Sequence, residues 1–265
     1  MSDTWACFTD LDGTLLDHDS YDWRAAEPAL RALAERSIPV IAMTSKTRLE
    51  WQALREEIPY LAPLAGCENG AVIVDDRQSP TQWQSLGRPF AELISVFERV
   101  RGELGAPAIG FHEASDQDVS NWTGLSLEQS RLARQREGAL PVFWPEHFPG
   151  RDAFKEAVAA QGVQLLEGGR FLHLANGADK GTALQHLLSQ LGDARAVRSV
   201  ALGDGGNDDA MLAAADLAVR IPPAHGEPRP ETVVDVIQAP EPGPAGWNRA
   251  MLDLLERFIP KEPLL

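Results

Sequence analysis

Three short apolar runs in this chain end abruptly in polar or acidic residues, and helix-patterned stretches separate them. Trp5–Phe8 runs into Thr9-Asp10-Leu11-Asp12-Gly13-Thr14. Ile38–Met43 runs into Thr44-Ser45-Lys46-Thr47. Val197–Leu202 runs into Gly203-Asp204-Gly205-Gly206-Asn207-Asp208. Buried strands alternating with helices predict an α/β fold around a parallel sheet with right-handed crossovers. In open sheets of this kind, ligands bind outside the carboxyl ends of the strands. If the three strands are neighbours, their polar ends meet in one crevice.

The intervening sequence fits that frame. Periodicity predicts a helix over Trp23–Arg36, with Ala26, Leu30, Leu33 and Ala34 on one stripe, and another over Thr47–Ile58. Residues 71–74 and 81–86 read as a hairpin. From Gly87 to Asn176 short strands and helices mix without the core's alternation. This predicts a small α+β domain, residues 87–176, inserted into a core made of 1–86 and 177–265. A helix from Lys180 and a strand near 217–221 resume the core pattern. Residues 222–248, rich in Pro and Gly, read as loop, and a terminal helix is expected over Trp247–Phe258.

Bulk properties narrow the partners. The chain has 265 residues and a formal net charge of −15. Nucleic-acid binding needs clustered Lys and Arg, so no nucleic-acid partner is expected. Two cysteines, Cys7 and Cys67, do not make a disulfide framework in a chain of this length. No apolar run approaches a membrane span, and Met1-Ser2-Asp3-Thr4 lacks the parts of a signal peptide. A soluble, cytoplasmic protein without membrane contact is expected.

The acidic residues suggest chemistry. Asp10 and Asp12 share a side at the end of an extended segment. Like charges that close repel unless a cation or proton sits between them, and a metal clamped by both is the first expectation. With Asp204 and Asp208 in the same crevice, four carboxylates would call for a hard cation such as Mg²⁺. A strand with an acidic turn, or a surface turn capping a helix, would also account for each motif alone. A carboxylate can attack phosphorus and form an aspartyl-phosphate. Asp10 is the candidate nucleophile and Asp12 the candidate general acid and base. Thr44 and the Ser45 amide precede a helix and are candidates for binding phosphate. Lys180 could neutralise the nucleophile and the phosphoryl group.

These residues resemble the haloacid dehalogenase superfamily of phosphatases. The resemblance rests on Asp10-Leu11-Asp12-Gly13-Thr14, the strand into Thr44-Ser45, Lys180-Gly181, and Gly203-Asp204-x-x-Asn207-Asp208, in the family's order. It implies a Rossmann-like core with Mg²⁺ held by Asp10, the backbone carbonyl of Asp12 and an Asp of the last motif, Asp204 or Asp208. The 87–176 insertion resembles a type IIB cap, the part expected to choose the substrate. Within that branch the chain is similar to mannosyl-3-phosphoglycerate phosphatases. The supporting segments include Thr44-Ser45-Lys46-Thr47-Arg48, Glu68-Asn69-Gly70, Gln135-Arg136-Glu137, Gly169-Arg170-Phe171-Leu172-His173-Leu174 and Gly243-Pro244-Ala245-Gly246-Trp247-Asn248. The family usually carries a Ser-Glu-Pro-like run after Arg136-Glu137, where this chain has Gly138-Ala139-Leu140-Pro141.

The resemblance implies a small phosphorylated sugar or glycerate as substrate, with Asn69 and Asn207 in its binding motifs. Arg136 and Arg170 are the candidates to grip a glycerate carboxylate bidentately. His112 and His173 have core or surface roles. The reaction expected is Mg²⁺-dependent hydrolysis of mannosyl-3-phosphoglycerate. Glucosyl-3-phosphoglycerate, a general sugar phosphate, or transfer as in a phosphomannomutase are the alternatives. A non-enzymatic phospho-acceptor would need neither Asp12 nor a cap.

Overall fold

In the computed structural model, residues 4–145, 148–168, 171–175, 177–192 and 197–259 are described. Among them the strands form two sheets. The larger contains β1 (Thr4–Thr9), β2 (Val40–Met43), β3 (Leu61–Cys67), β4 (Val72–Asp75), β5 (Gln82–Ser85), β10 (Val197–Gly203), β11 (Leu217–Arg220) and β12 (Ile237–Gln238), in the order β12-β11-β10-β1-β2-β3-β4-β5. Strands β12 through β3 pair in parallel, while β3–β4 and β4–β5 are antiparallel. The chain leaves β1 for β2 on one side and returns to β10 on the other. Thr9 is in register with both Ala42 and Leu202. Asp10, Thr44 and Asp204 thus emerge side by side at a topological switch point, where such sheets bind ligands.

The central strand explains itself. Trp5 and Cys7 enter one core, against α1 (Glu27–Ala34), α2 (Arg48–Glu57) and α9 (Gly243–Phe258). Ala6 and Phe8 enter another, against α7 (Lys180–Leu191) and α8 (Asp209–Ala214). A strand covered on both faces needs an unbroken apolar run rather than alternation. Trp247 of α9 is buried and donates from Nε1 to Thr9 Oγ1 at 3.0 Å, and Thr9 Oγ1 donates to the Asp10 carbonyl at 2.7 Å. The last helix is thereby tied to the backbone at the end of β1.

The second sheet, order β6-β7-β9-β8, is antiparallel throughout and uses β6 (Ile109–Gly110), β7 (Ala139–Phe143), β8 (Gln164–Gly168) and β9 (Phe171–Ala175). Leu140, Val142, Leu172 and Leu174 point to one face and pack with α3 (Phe90–Leu104) and α6 (Arg151–Ala160). The alternate residues Pro141, Phe171 and His173 line a cleft on the opposite face. Helices α4 (Asp116–Thr123) and α5 (Leu127–Ala133) start at Ser115 and Ser126, each a capping box.

Several elements differ from the sequence reading. Leu61–Cys67 is a strand, disguised by Pro63 and Gly66. Helix α5 stops at Ala133, before Gln135-Arg136-Glu137. α9 begins at Gly243 rather than Trp247, because Pro244 occupies a first-turn position where a missing N–H costs nothing. The first helix is a 3₁₀ turn at Arg24–Ala26 followed by α1.

Candidate active site

At the end of β1 the backbone folds into a tight loop. Leu16 N–H donates to Leu11 O at 2.8 Å and Gly13 N–H to Leu16 O at 2.9 Å. Gly13 has φ +78°, and a Cβ there would lie 2.9 Å from Asp204 Oδ2. Glycine is required on both counts, since a side chain would strain the turn and strike the carboxylate. The loop buries Asp10 and sends Asp12 in a different direction.

Asp10, Asp204 and Asp208 converge, with one carboxylate oxygen from each lying within 4.8 Å of the others. Lys180, the first residue of α7, is fully buried. Its Nζ donates to Asp10 Oδ1 and to Asp208 Oδ1, both at 2.6 Å. Asp208 Oδ2 accepts the Gly205 N–H at 2.8 Å, and Asp204 Oδ1 accepts from Thr14 Oγ1 at 3.1 Å. Burial pushes the Asp10 carboxyl well above the ordinary carboxylate range. The Lys180 ammonium opposes that rise, and Asp208, Asp204 and Asp12 reinforce it. Burial likewise raises Asp204, with Asp208 adding to it. Burial alone would lower the Lys180 ammonium, but Asp10 and Asp208 hold it well above the usual lysine value.

Three carboxylates around one ammonium leave an excess of negative charge in a largely buried site. The donors are all oxygen. That set fits a small hard cation, and Asp10, Asp204 and Asp208 would hold it. The Asp12 side chain is not among them, so the expectation of a metal clamped between the Asp10 and Asp12 carboxylates is corrected. Asp12 Oδ1 instead lies 2.8 Å from Lys46 Nζ, an ion pair without an aligned hydrogen bond. Burial pulls the Lys46 ammonium down, yet the Asp12 carboxylate beside it keeps it above its ordinary value. Lys46 was visible in the sequence two residues after Thr44, but its partner is set by tertiary packing.

The phosphate-site candidates lie beside this pair. Thr44 is buried, and its Oγ1 accepts the Lys46 N–H at 3.1 Å. Ser45 lines the cleft. The reason offered for these residues needs correction. α2 starts at Arg48, and Thr47 and Glu50 close its end in a reciprocal capping box. The Thr47 and Glu50 amides at its start are therefore already taken. Asn69 and Asn207 also line the cleft, and Asn207 Nδ2 donates to Asn69 Oδ1 at 3.0 Å.

The cleft has a volume of about 870 Å³. Phe111, Leu125 and Phe171 give one wall an apolar surface, and Lys46, Arg136 and Arg229 supply positive charge from the other sides. Arg229, in the stretch read as loop, was not anticipated. Arg136 is not the free fork expected. Its Nε donates to Ala133 O and its Nη1 to Ser45 O, both at 2.9 Å. Arg170 lies outside the described residues. His112 packs edge-on against Phe97, away from the cleft, while His173 lines it.

Comparison with known proteins gives a consistent relationship. The pattern of a haloacid dehalogenase-like hydrolase matches residues 7–99 and 163–227. A glucosyl-3-phosphoglycerate/mannosyl-3-phosphoglycerate phosphatase of Methanococcoides burtonii is 32% identical over 261 residues, covering 94% of this chain and 96% of the relative. A protein of the same description from Persephonella marina is 29% identical, covering 95% and 97%. Among solved structures, a sugar phosphatase of haloacid dehalogenase subclass IIB superposes with TM-score 0.65 at 14% identity, covering 97% of this chain and 100% of that one. A phosphatase-superfamily protein of Bacteroides thetaiotaomicron gives TM-score 0.69 at 17% identity, covering 96% and 94%. At those identities the structural likeness speaks for the fold alone.

Proposed function

The chain belongs to the haloacid dehalogenase-like hydrolases, and we propose that it is a phosphomonoesterase acting on a glycosyl-3-phosphoglycerate, with Asp10 as nucleophile. The observation that carries this reading is the buried Asp10 carboxylate, held at the end of β1 by the Lys180 ammonium 2.6 Å away.

In the first step an Asp10 oxygen forms a bond to phosphorus while the bond from phosphorus to the ester oxygen breaks. Asp12, in the cleft wall and 35% exposed at its side chain, gives a proton to the departing alkoxide. Lys46 would hold the Asp12 carboxylate in place between the two steps. In the second step a water attacks the aspartyl-phosphate, Asp12 takes its proton, and the Asp10–phosphorus bond breaks. Lys180 keeps Asp10 oriented and offsets charge on the transferring group. A Mg²⁺ held by Asp10, Asp204 and Asp208 would neutralise phosphoryl charge.

Substrate choice follows from the cleft. A glycosyl-3-phosphoglycerate carries a phosphate, a glycerate carboxylate and a sugar ring. Lys46 and Arg229 are placed to meet the anionic groups, and Phe111 and Phe171 offer apolar faces to the ring. The two named relatives join glucosyl and mannosyl substrates in one description. The reading therefore includes both sugars, with mannosyl-3-phosphoglycerate hydrolysed to mannosylglycerate. Here the segment 87–176 serves as the cap over the core.

A phosphate-release screen with Mg²⁺ tests this. Both glycosyl-3-phosphoglycerates should be hydrolysed with higher kcat/KM than any simple hexose phosphate. Faster turnover of hexose phosphates would overturn the substrate assignment, and transfer of phosphate to another sugar position would overturn the hydrolase reading.

A further inference from the structure

Glu68 has no role in the chemistry above, yet it is 1% exposed. Its carboxylate faces a segment nearly seventy residues away in sequence. Oε1 accepts the Glu137 N–H at 2.8 Å, and Oε2 accepts the Gly138 N–H at 3.0 Å and the Ala139 N–H at 2.8 Å. Three successive amides turned toward one point form an anion-binding concavity, and the occupant here is a side chain from the larger sheet's turn.

The neighbourhood is built for this contact. Glu68 and Asn69 are non-glycine residues with φ of 52° and 60°. Two adjacent left-handed residues are costly and persist only where their surroundings hold them. The Glu68 N–H donates to Lys46 O and the Asn69 N–H to Thr44 O, both at 2.9 Å. The turn is thus fixed to the Thr44–Lys46 segment. On the other side, a Cβ on Gly138 would lie 2.6 Å from Ala71 Cβ and 2.9 Å from Val72 Cγ2. This close approach leaves no room for a side chain at position 138. Arg48 reinforces the junction, donating to both carboxylate oxygens of Glu137 at 2.8 and 3.2 Å. Thr47 Oγ1 donates to Leu132 O at 3.1 Å.

We propose that Glu68 is a positioning residue that sets the Arg136–Ala139 segment, and with it the second sheet's wall of the cleft, at a fixed distance from Ser45. Arg136 is the link between the two. It stands one residue before the captured amides, and its Nη1 reaches the Ser45 carbonyl. With the carboxylate in place, the entry into β7 is pinned to the core and the cleft keeps the width of its substrate. Without it, three amides lose their acceptor and Arg136 is free to leave the Ser45 side. The effect on turnover rests on the phosphatase reading; the effect on the amides does not.

The test uses Glu68→Gln and Arg48→Ala in the full chain, with wild type as control. Glu68→Gln keeps size and burial but presents an N–H group to amides that need an acceptor. Hydrogen–deuterium exchange should speed up about tenfold or more at Glu137, Gly138 and Ala139 while α7 and β1 stay protected. KM for glucosyl-3-phosphoglycerate should rise about tenfold, with kcat changing less, as expected for a lost charged hydrogen-bond acceptor. Arg48→Ala should produce the same pattern at smaller amplitude. Unchanged exchange at residues 137–139, or a fall in kcat with KM constant, overturns the assignment. If wild type releases no phosphate from any ester, the phosphatase reading fails, and exchange alone decides on Glu68.

Discussion

Lys180 Nζ sits midway between two buried carboxylates, 2.6 Å from Asp10 Oδ1 and 2.6 Å from Asp208 Oδ1. Both carboxylates are buried, so the ammonium between them is the group that offsets their charge. Lys180→Ala therefore leaves two uncompensated charges. Stability should fall by about 3–5 kcal/mol, read as a lower urea midpoint at constant m-value. Added Mg²⁺ should recover part of the loss, because a cation at the three carboxylates replaces the missing charge. A variant as stable as wild type in metal-free buffer would contradict the pairing.

Gly13→Ala tests the loop geometry. The new methyl must displace Asp204 Oδ2, which lies 2.9 Å from its position. The expected outcome is a weaker metal site, with a higher Mg²⁺ concentration for half-maximal activity and a folded circular-dichroism spectrum. Chelation of the metal should stop wild-type turnover, and Mg²⁺ should restore it.

How much of this could be read from residues alone varies by kind of contact. The strand ends at Asp10, Thr44 and Asp204 were evident, because a buried parallel strand must be apolar throughout and its polar terminus stands out. The helix after Thr44-Ser45 was evident too, but not that Thr47 and Glu50 cap it. The Leu61–Cys67 strand was hidden by Pro63 and Gly66, residues that ordinarily interrupt strands. The partners of Asp12 and Glu68 were invisible for a different reason. Lys46 lies 34 positions beyond Asp12, and Glu68 is separated from Gly138 and Ala139 by 70 and 71 positions. Only the fold decides such pairings. The cap arginine shows the same limit, as composition gave its charge but not that main-chain carbonyls occupy it.

Behind the Asp204–Asp208 loop, Arg220 joins three groups. It donates to Gly205 O at 2.8 Å, to Asp209 Oδ1 at 2.5 Å and to both Glu231 oxygens at 3.2 Å. Hydrogen bonding to Arg220 holds Glu231 down at about 2, against an ordinary 4.5. A depressed folded-state value means the contribution is present above the unfolded value and fades as pH drops from there toward about 2. The melting-temperature gap between wild type and Glu231→Gln should be open at neutral pH and close across that acid window. A gap that widens as pH falls would have the wrong sign.

Cys7 and Cys67 are both fully buried, and burial pushes each thiol well above its ordinary range. A thiolate is the reactive form. The native protein should therefore resist a thiol reagent that labels both cysteines once urea unfolds the chain. Rapid labelling of either in the native state would contradict the packing around β1 and β3.

The central claim is that Asp10 carries the phosphoryl group. Asp10→Asn keeps the shape of the side chain and removes the nucleophile. Phosphate release from glucosyl-3-phosphoglycerate with saturating Mg²⁺, measured on wild type and on folded Asp10→Asn protein, tests it most directly. The account predicts a loss of at least about a thousandfold in kcat. Turnover within about tenfold of wild type would contradict it.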